Sequence, residues 1–162
     1  MWKANTIEIV KLVISIIVCQ LAGFVGSLFT TPSIPTWYAA LRKPVFNPPN
    51  SVFGPVWTTL FLLMGISAYL IWRKGLQDKN VKMALIIFIV QLGLNVIWSI
   101  LFFGLHSPFS AFMEIIILWL VILATFLYFM KISKPAGILL IPYLIWVAFA
   151  AILNYHLWKL NS

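Results

Sequence analysis

The hydrophobic positions of the chain fall into five long runs that are separated by short, more polar connections. The runs lie near residues 7–29, 53–73, 81–104, 108–130 and 136–158. Each can supply the roughly 20 helical residues needed to cross the hydrocarbon core of a bilayer. A segment in lipid must satisfy its own backbone hydrogen bonds, which a helix does. The pattern therefore predicts an all-α fold: one domain, residues 1–162, built as an integral membrane bundle of five transmembrane helices.

The connection after the first run is long, whereas the other three are short. It covers about 30–52 and contains five of the nine prolines. Trp37 and Tyr38 lie within it, and Trp57 follows it closely. Because proline restricts φ and lowers the entropy lost on ordering, the segment is predicted to form a lid loop over one end of the bundle. The alternative is an interfacial turn whose aromatic residues lie at headgroup depth.

Composition supports the membrane assignment. Hydrophobic residues make up 63% of the chain and charged residues 9%, which is too little polar surface for a soluble domain of this size. The formal net charge is +8, but the basic residues lie at the ends of the runs instead of forming one patch. This distribution is typical of membrane topology, so we expect a lipid bilayer and no nucleic acid as the partner.

The basic residues also predict an orientation. Only Arg42, Lys43 and Lys159 lie on the side of the first loop. By the positive-inside rule, the N-terminus is predicted to face the cytoplasm and the first loop to face outward. The other eight basic residues lie on the N-terminal side: Lys3, Lys11, Arg73, Lys74, Lys79, Lys82, Lys131 and Lys134.

Helical spacing predicts inward faces that carry aromatic and amide side chains near the loop. Gln20, Gln91 and Asn95 should point into the bundle, because an amide in lipid needs a partner. Interhelical hydrogen bonding and a ligand pocket both remain open for these amides. A cavity with several indoles and one amide would suit a flat, hydrophobic, aromatic ligand. The residues that favour such a cavity are Trp57, Asn95, Trp98 and Trp146.

Few residues could support conventional catalysis or metal binding. His106 and His156 are far apart in the sequence and have no neighbouring cluster of Cys or Asp, so no metal site is expected. Phosphate-binding and Ser/His/Asp motifs are not found, and the chain has only three acidic residues. We expect no required cofactor, and any catalysis would rest on aromatic groups, the backbone and the ligand itself. Glu114, about two turns into the fourth run, should be protonated or hydrogen-bonded.

The first-loop region carries a motif that resembles the TspO/MBR family. The matching residues are Trp37-Tyr38-x-x-Leu41-x-Lys43-Pro44-x-x-x-Pro48-Pro49, followed by Gly54-Pro55-Val56-Trp57. Further matches are Gln91-Leu92-x-Leu94-Asn95-x-x-Trp98 and the stretch from Pro142 to Tyr155. The family comprises the translocator proteins, also called peripheral-type benzodiazepine receptors, and the bacterial tryptophan-rich sensory proteins.

The resemblance implies a five-helix bundle, often a homodimer, with a pocket beneath the first loop. Family ligands include porphyrins (protoporphyrin IX and haem), sterols and benzodiazepine-site drugs. The resemblance thus implies a membrane receptor or carrier that binds porphyrins. The alternative is an enzyme that degrades porphyrin by photo-oxidation, since Trp57 and Trp146 match a pair linked to light-dependent porphyrin breakdown in some bacterial members. By motif position, the ligand-binding residues are Tyr38, Trp57, Asn95, Trp98, Phe102, Trp146, Ala150 and Leu153.

A sterol motif is also implied at the end of the last run. Leu153, Tyr155 and Lys159 match the cholesterol-recognition pattern of the family, with Lys where animal members have Arg. Many helix ends at a membrane interface satisfy this pattern. In the first loop, Val45-Phe46 replaces the Ser-Trp common in the family, which removes one indole from the lid. We expect a sterol-free host, with the protein in a bacterial or archaeal cell membrane.

Overall fold

A computed structural model describes residues 2–162, with side chains described from Asn5 onward. The protein is 86% helical, and no strand occurs among the described residues. Five helical segments are long and apolar enough to cross a membrane, which confirms the predicted fold class. The helices are α1 (Trp2–Ser33), α2 (Asn50–Trp72), α3 (Lys79–Ser99), α4 (Pro108–Ile132), α5 (Lys134–Leu139) and α6 (Ile141–Leu160).

The first span is longer than predicted, and the first loop is correspondingly shorter. A π-helical segment, Ile34–Tyr38, continues α1, and helical backbone extends to Ala40. Pro32 and Pro35 therefore lie in helix, which corrects the predicted loop boundary at residue 30. Proline donates no backbone hydrogen bond, and a wider π turn accommodates the missing i→i−4 partner. The loop proper runs over residues 41–49.

The other spans begin and end at residues with identifiable local causes. Asp78 caps α3, because its Oδ1 atom accepts a hydrogen bond from the backbone N–H of Asn80 at 2.8 Å. A second π-helical segment, Ile100–Gly104, follows α3, and Pro108 begins α4. The fifth span is divided at Leu140 into α5 and α6, with Pro142 in the first turn of α6.

Close contacts at glycines show which neighbour α1 packs against along its length. A Cβ atom at Gly65 of α2 would lie 2.7 Å from the Cα atom of Ile16, so only glycine allows this approach. Nearer the loop, a Cβ atom at Gly26 of α1 would lie 3.1 Å from the Oγ atom of Ser99 in α3. A Cβ atom at Gly23 of α1 would lie 2.6 Å from the ring of Phe61 in α2. The first helix thus packs tightly on α2 as far as Gly23, and on α3 from Gly26 toward the loop.

The first loop is anchored to the end of α6. The side chain of Asn161 accepts a hydrogen bond from the backbone N–H of Arg42 at 2.9 Å, and its amide donates to the Arg42 carbonyl at 2.9 Å. Phe46 contacts the ring of His156 with a centroid distance of 5.1 Å. Tyr38 donates its hydroxyl to the Oδ1 atom of Asn47 at 2.8 Å. These contacts hold the loop over one end of the bundle.

Candidate ligand-binding cavity

A cavity of about 490 Å³ lies at the loop end of the bundle, between α1, α2, α3 and α6. The loop-side end is closed by buried residues, including Tyr38, Phe102 and Leu157. The structure brings all eight predicted ligand-binding residues to this one cavity, although their binding of a ligand remains a prediction. They are Tyr38, Trp57, Asn95, Trp98, Phe102, Trp146, Ala150 and Leu153.

The cavity wall is largely aromatic. Trp98 stacks on Phe102 with a centroid distance of 5.2 Å and an interplanar angle of 17°. The ring centroids of Trp57 and Phe61 are 5.6 Å apart, and those of Trp146 and Phe53 are 6.2 Å apart. Such a wall presents flat apolar surfaces against which a planar ligand can stack.

Asn95 belongs to a buried hydrogen-bond chain between α3 and α6. Its Nδ2 atom donates to the Tyr143 hydroxyl oxygen at 3.0 Å, and this hydroxyl donates to the Oε1 atom of Gln91 at 2.7 Å. Gln91 and Tyr143 are each only 1% exposed. Of the two roles considered for Gln91, interhelical hydrogen bonding and pocket lining, the structure shows the interhelical hydrogen bond. Asn95 makes the same contact and also lines the cavity.

The indole N–H groups of the cavity-lining residues Trp98 and Trp146 differ in their partners. Trp98 donates from Nε1 to the Oδ1 atom of Asn154 at 3.0 Å, and Asn154 donates to the carbonyl of Pro108 at 2.8 Å. The Nε1 atom of Trp146 is buried and has no partner among the described residues. A buried donor without an acceptor is costly, so an acceptor on a bound ligand would stabilise this wall.

Among the described residues that line the cavity, none has a charged side chain. The polar contribution comes from amides and hydroxyls, such as those of Gln20, Asn95 and Ser99. Burying a charge without a partner is strongly unfavourable, so the interior suits the uncharged body of a ligand. Any carboxylate on that ligand would have to lie outside the wall.

Gln20 and Glu114 have contrasting environments. Gln20 lines the cavity and donates from Nε2 to the backbone carbonyl of Thr58 at 3.1 Å, which joins α1 to α2. Glu114 of α4 is 8% exposed, and neither carboxylate oxygen has a partner among the described residues. It does not line the cavity. The expected hydrogen bond to the Glu114 carboxyl group is therefore not seen among the described residues.

The residues of the sterol motif do not share a face. Leu153 is buried in the cavity wall, whereas Tyr155 is 39% exposed on the outside of the bundle. The Lys159 ammonium lies 4.2 Å from the centre of the Trp158 ring. The structure thus separates Leu153 from Tyr155.

The two histidines also lie apart. His106 stacks on Trp37 with a centroid distance of 4.5 Å, and the Nδ1 atom of His156 lies 2.9 Å from the Ile152 carbonyl oxygen. Within residues 5–162, no group of three His, Cys, Asp or Glu side chains is placed to hold a metal ion.

Three residues that orient the site were not identified from helical spacing. Tyr143 holds Asn95, Asn154 holds Trp98, and Asn47 holds Tyr38. Tyr143 and Asn154 appear in the sequence only as members of the last family motif. The sequence does contain a signal for these partners, because an amide or indole within a membrane span requires a polar partner. The last span offers few polar side chains apart from Tyr143 and Asn154.

Comparison with known proteins agrees with this architecture. The model of the TspO/MBR family matches residues 15–159. The tryptophan-rich protein TspO of Archaeoglobus fulgidus is 47% identical over 156 residues, which cover 96% of this chain and 99% of the relative. The corresponding protein of Chlorobaculum tepidum is 42% identical over 95% of this chain and 98% of its own length. The translocator protein of Ovis aries is 39% identical, over 86% of this chain and 83% of its own.

The family match and these relatives extend over most of the chain, and they include the loop motif, the cavity-lining helices and the last span. The resemblance inferred from the loop and helix motifs is thereby confirmed. The chain belongs to the TspO/MBR family and is an integral membrane protein.

Proposed function

We propose that the protein is a membrane receptor or carrier that binds porphyrins, such as protoporphyrin IX or haem, in the cavity beneath the first loop. The observation that carries this proposal is the convergence of eight predicted residues on one uncharged, indole-lined cavity. Stacked aromatic walls fit the planar ring, while the porphyrin carboxylates would lie outside the wall. Relatives of this chain are named translocator protein and tryptophan-rich sensory protein, which is consistent with carriage or sensing of a ligand.

Titration with protoporphyrin IX, followed by tryptophan fluorescence quenching, tests the proposal. We expect saturable quenching by the wild type and at least about a tenfold weaker affinity in the Trp57→Phe, Trp146→Phe double variant. About 1.4 kcal/mol corresponds to each tenfold change in affinity, and the loss of aromatic stacking contacts is of this size. Trp72→Phe, which changes an indole outside the cavity wall, is the matched control. An unchanged affinity in the double variant would rule out this site.

A second candidate is light-dependent oxidation of the bound porphyrin by dioxygen. Trp57 and Trp146 both line the cavity, and the unpartnered N–H of Trp146 faces no protein acceptor. The indoles would then serve as redox partners of the excited porphyrin. Illumination of the complex should bleach the Soret band faster than that of free porphyrin, and each Trp→Phe variant should slow the bleaching. Equal bleaching rates for bound and free porphyrin would exclude the photo-oxidising enzyme and leave ligand binding as the proposed function.

The orientation and assembly of the protein form part of the same proposal. We propose that the N-terminus is cytoplasmic, that the first loop lies outside a bacterial or archaeal cell membrane, and that the protein is a homodimer. The distribution of basic residues supports the orientation, and the archaeal and bacterial relatives support the host. Crosslinking in native membranes should give a band of twice the monomer mass. A monomer alone under these conditions would contradict the dimer.

A further inference from the structure

The cavity is closed beneath the loop but open at its side. The residues that close the loop end are almost fully buried, with Tyr38 3%, Phe102 1% and Leu157 2% exposed. In contrast, the cavity-lining residue Phe24 of α1 is 60% exposed, and Gly54 of α2 is also exposed. Both lie within membrane-spanning segments. The open side of the cavity therefore faces the bilayer.

The opening is a slit between α1 and α2 that begins just above the Gln20 contact. Gln20 hydrogen-bonds to the carbonyl of Thr58, and α1 and α2 run in opposite directions from this contact. One turn nearer the loop, Phe24 is thus opposite Gly54. A Cβ atom built at Gly54 would have no heavy atom within 4 Å, so a gap separates the two helices here.

The close contact of α1 with α3 explains why the slit does not close. At Gly26, just beyond Phe24, the backbone of α1 lies against Ser99. From Gly26 toward the loop, α1 therefore follows α3, and it leaves the start of α2 near Gly54 uncovered on this side. The glycine at position 54 adds no side chain to fill the space.

The hydroxyls of Ser27 and Thr58, one turn from Phe24 and Gly54, are both paired at the mouth of the slit. Ser27 donates its hydroxyl to the Phe24 carbonyl at 2.6 Å, and Thr58 donates to the Gly54 carbonyl at 2.9 Å. Hydroxyls bonded within their own helix are tolerated in lipid because their donors are satisfied. An apolar molecule can pass such a mouth without breaking hydrogen bonds to the protein.

In contrast to the open slit, the first loop is held in place by hydrogen bonds. Two hydrogen bonds join Asn161 to the backbone of Arg42, and the hydroxyl of Tyr38 is bonded to Asn47. Passage beneath the loop would require these contacts to break, whereas passage through the slit requires none of them to change.

We propose that ligands exchange between the cavity and the bilayer through the slit between Phe24 and Gly54, and that the absence of a side chain at Gly54 keeps this slit open. The slit admits flat, apolar ring systems from the bilayer, which enter edge-on, and any carboxylate on such a molecule stays outside the cavity wall, toward the headgroups at the loop end. The proposal uses the cavity of the proposed function, but it concerns the route and not the identity of the ligand.

Cysteine labelling in phosphatidylcholine vesicles tests the route without a porphyrin. Ala150→Cys places a thiol in the cavity wall, in a Cys19→Ala background. We expect the lipid-soluble reagent N-cyclohexylmaleimide to label this thiol, and Gly54→Phe to slow the labelling at least about tenfold, as expected when a bulky side chain fills the mouth. Asn161→Ala, which releases the loop, should leave the rate unchanged.

Gly93→Phe is the matched control, because Gly93 is an exposed helical glycine with no heavy atom within 4 Å of its built Cβ atom and lies outside the cavity wall. It should leave the labelling rate unchanged. Phe24→Trp narrows the slit from the other side and should also slow labelling, which provides a second test if Gly54→Phe does not fold. Wild-type rates in the folded slit variants, or faster labelling in Asn161→Ala, would overturn the proposal.

The two proposals fail separately in this design. Slowed labelling in the slit variants together with no porphyrin quenching would retain the route and remove the proposed ligand. Normal porphyrin affinity with labelling that depends only on Asn161 would retain the ligand and remove the route.

Discussion

At the scale of single residues, Asn95 and Trp98 in the cavity wall each hydrogen-bond to a polar side chain of α6. Asn95 and Trp98 could be predicted from their spacing on one helical stripe, since amides and indoles in lipid rarely face outward. Their partners Tyr143 and Asn154 were harder to identify, because the choice of partner depends on the rotation of α6 against α3. Spacing within one helix carries no information on that rotation.

Tyr143→Phe should destabilise the protein by about 1–3 kcal/mol, because it leaves the Asn95 amide and the Gln91 carbonyl oxygen buried and unpaired. Denaturant unfolding in detergent, followed by near-UV circular dichroism, measures the change. Tyr128→Phe removes a hydroxyl from a side chain that is 37% exposed and serves as the control. Equal stabilities of the two variants would show that the buried hydrogen bonds of Tyr143 do not contribute to the free energy of unfolding.

At the scale of helices, the hydrophobic pattern located the five spans but not all of their ends. The end of α1 is held by distant contacts: the hydroxyl of Ser33 donates to the carbonyl of Phe103 at 2.7 Å, and Trp37 stacks on His106. Local preference places a boundary near Pro32 and Pro35, but these tertiary contacts and the π turn outweigh it. A contact between residues 70 positions apart leaves no mark in local periodicity.

Gly65→Ala should weaken the contact between α1 and α2. The new Cβ atom would lie 2.7 Å from the Cα atom of Ile16, so backbone has to move, and we expect a loss of about 1–3 kcal/mol. Gly93→Ala adds the same methyl group where nothing lies within 4 Å and should be neutral or stabilising by up to about 1 kcal/mol. Thermal unfolding measured side by side checks the difference, and the idea fails if the two midpoints agree.

At the scale of the whole molecule, the architecture could be predicted from hydropathy and the family from its motifs, whereas the lateral slit could not. The slit arises because Gly26 brings the loop end of α1 to α3, while Gly23 and Gly65 are the sites at which the rest of α1 packs on α2. Each glycine is visible in the sequence, but the neighbour that it contacts is a property of the assembled bundle.

The proposed orientation predicts different accessibility of the two membrane faces. Val45→Cys in the fully exposed part of the first loop should react with a membrane-impermeant maleimide in intact cells. Gln77→Cys, in the exposed connection between α2 and α3, should react only after lysis. Both variants carry Cys19→Ala. The reverse labelling pattern would place the first loop in the cytoplasm.

The bond pair between Asn161 and Arg42 also has a consequence for biogenesis. The two residues are 119 positions apart, so the contact cannot form until the intervening helices have been synthesised and inserted. Contacts of such large sequence separation close a long stretch of chain and form late. The first loop leaves the ribosome early, yet it acquires its final anchor only when the last helix arrives. The first loop, which lies over the cavity, is therefore among the last parts of the nascent protein to become ordered.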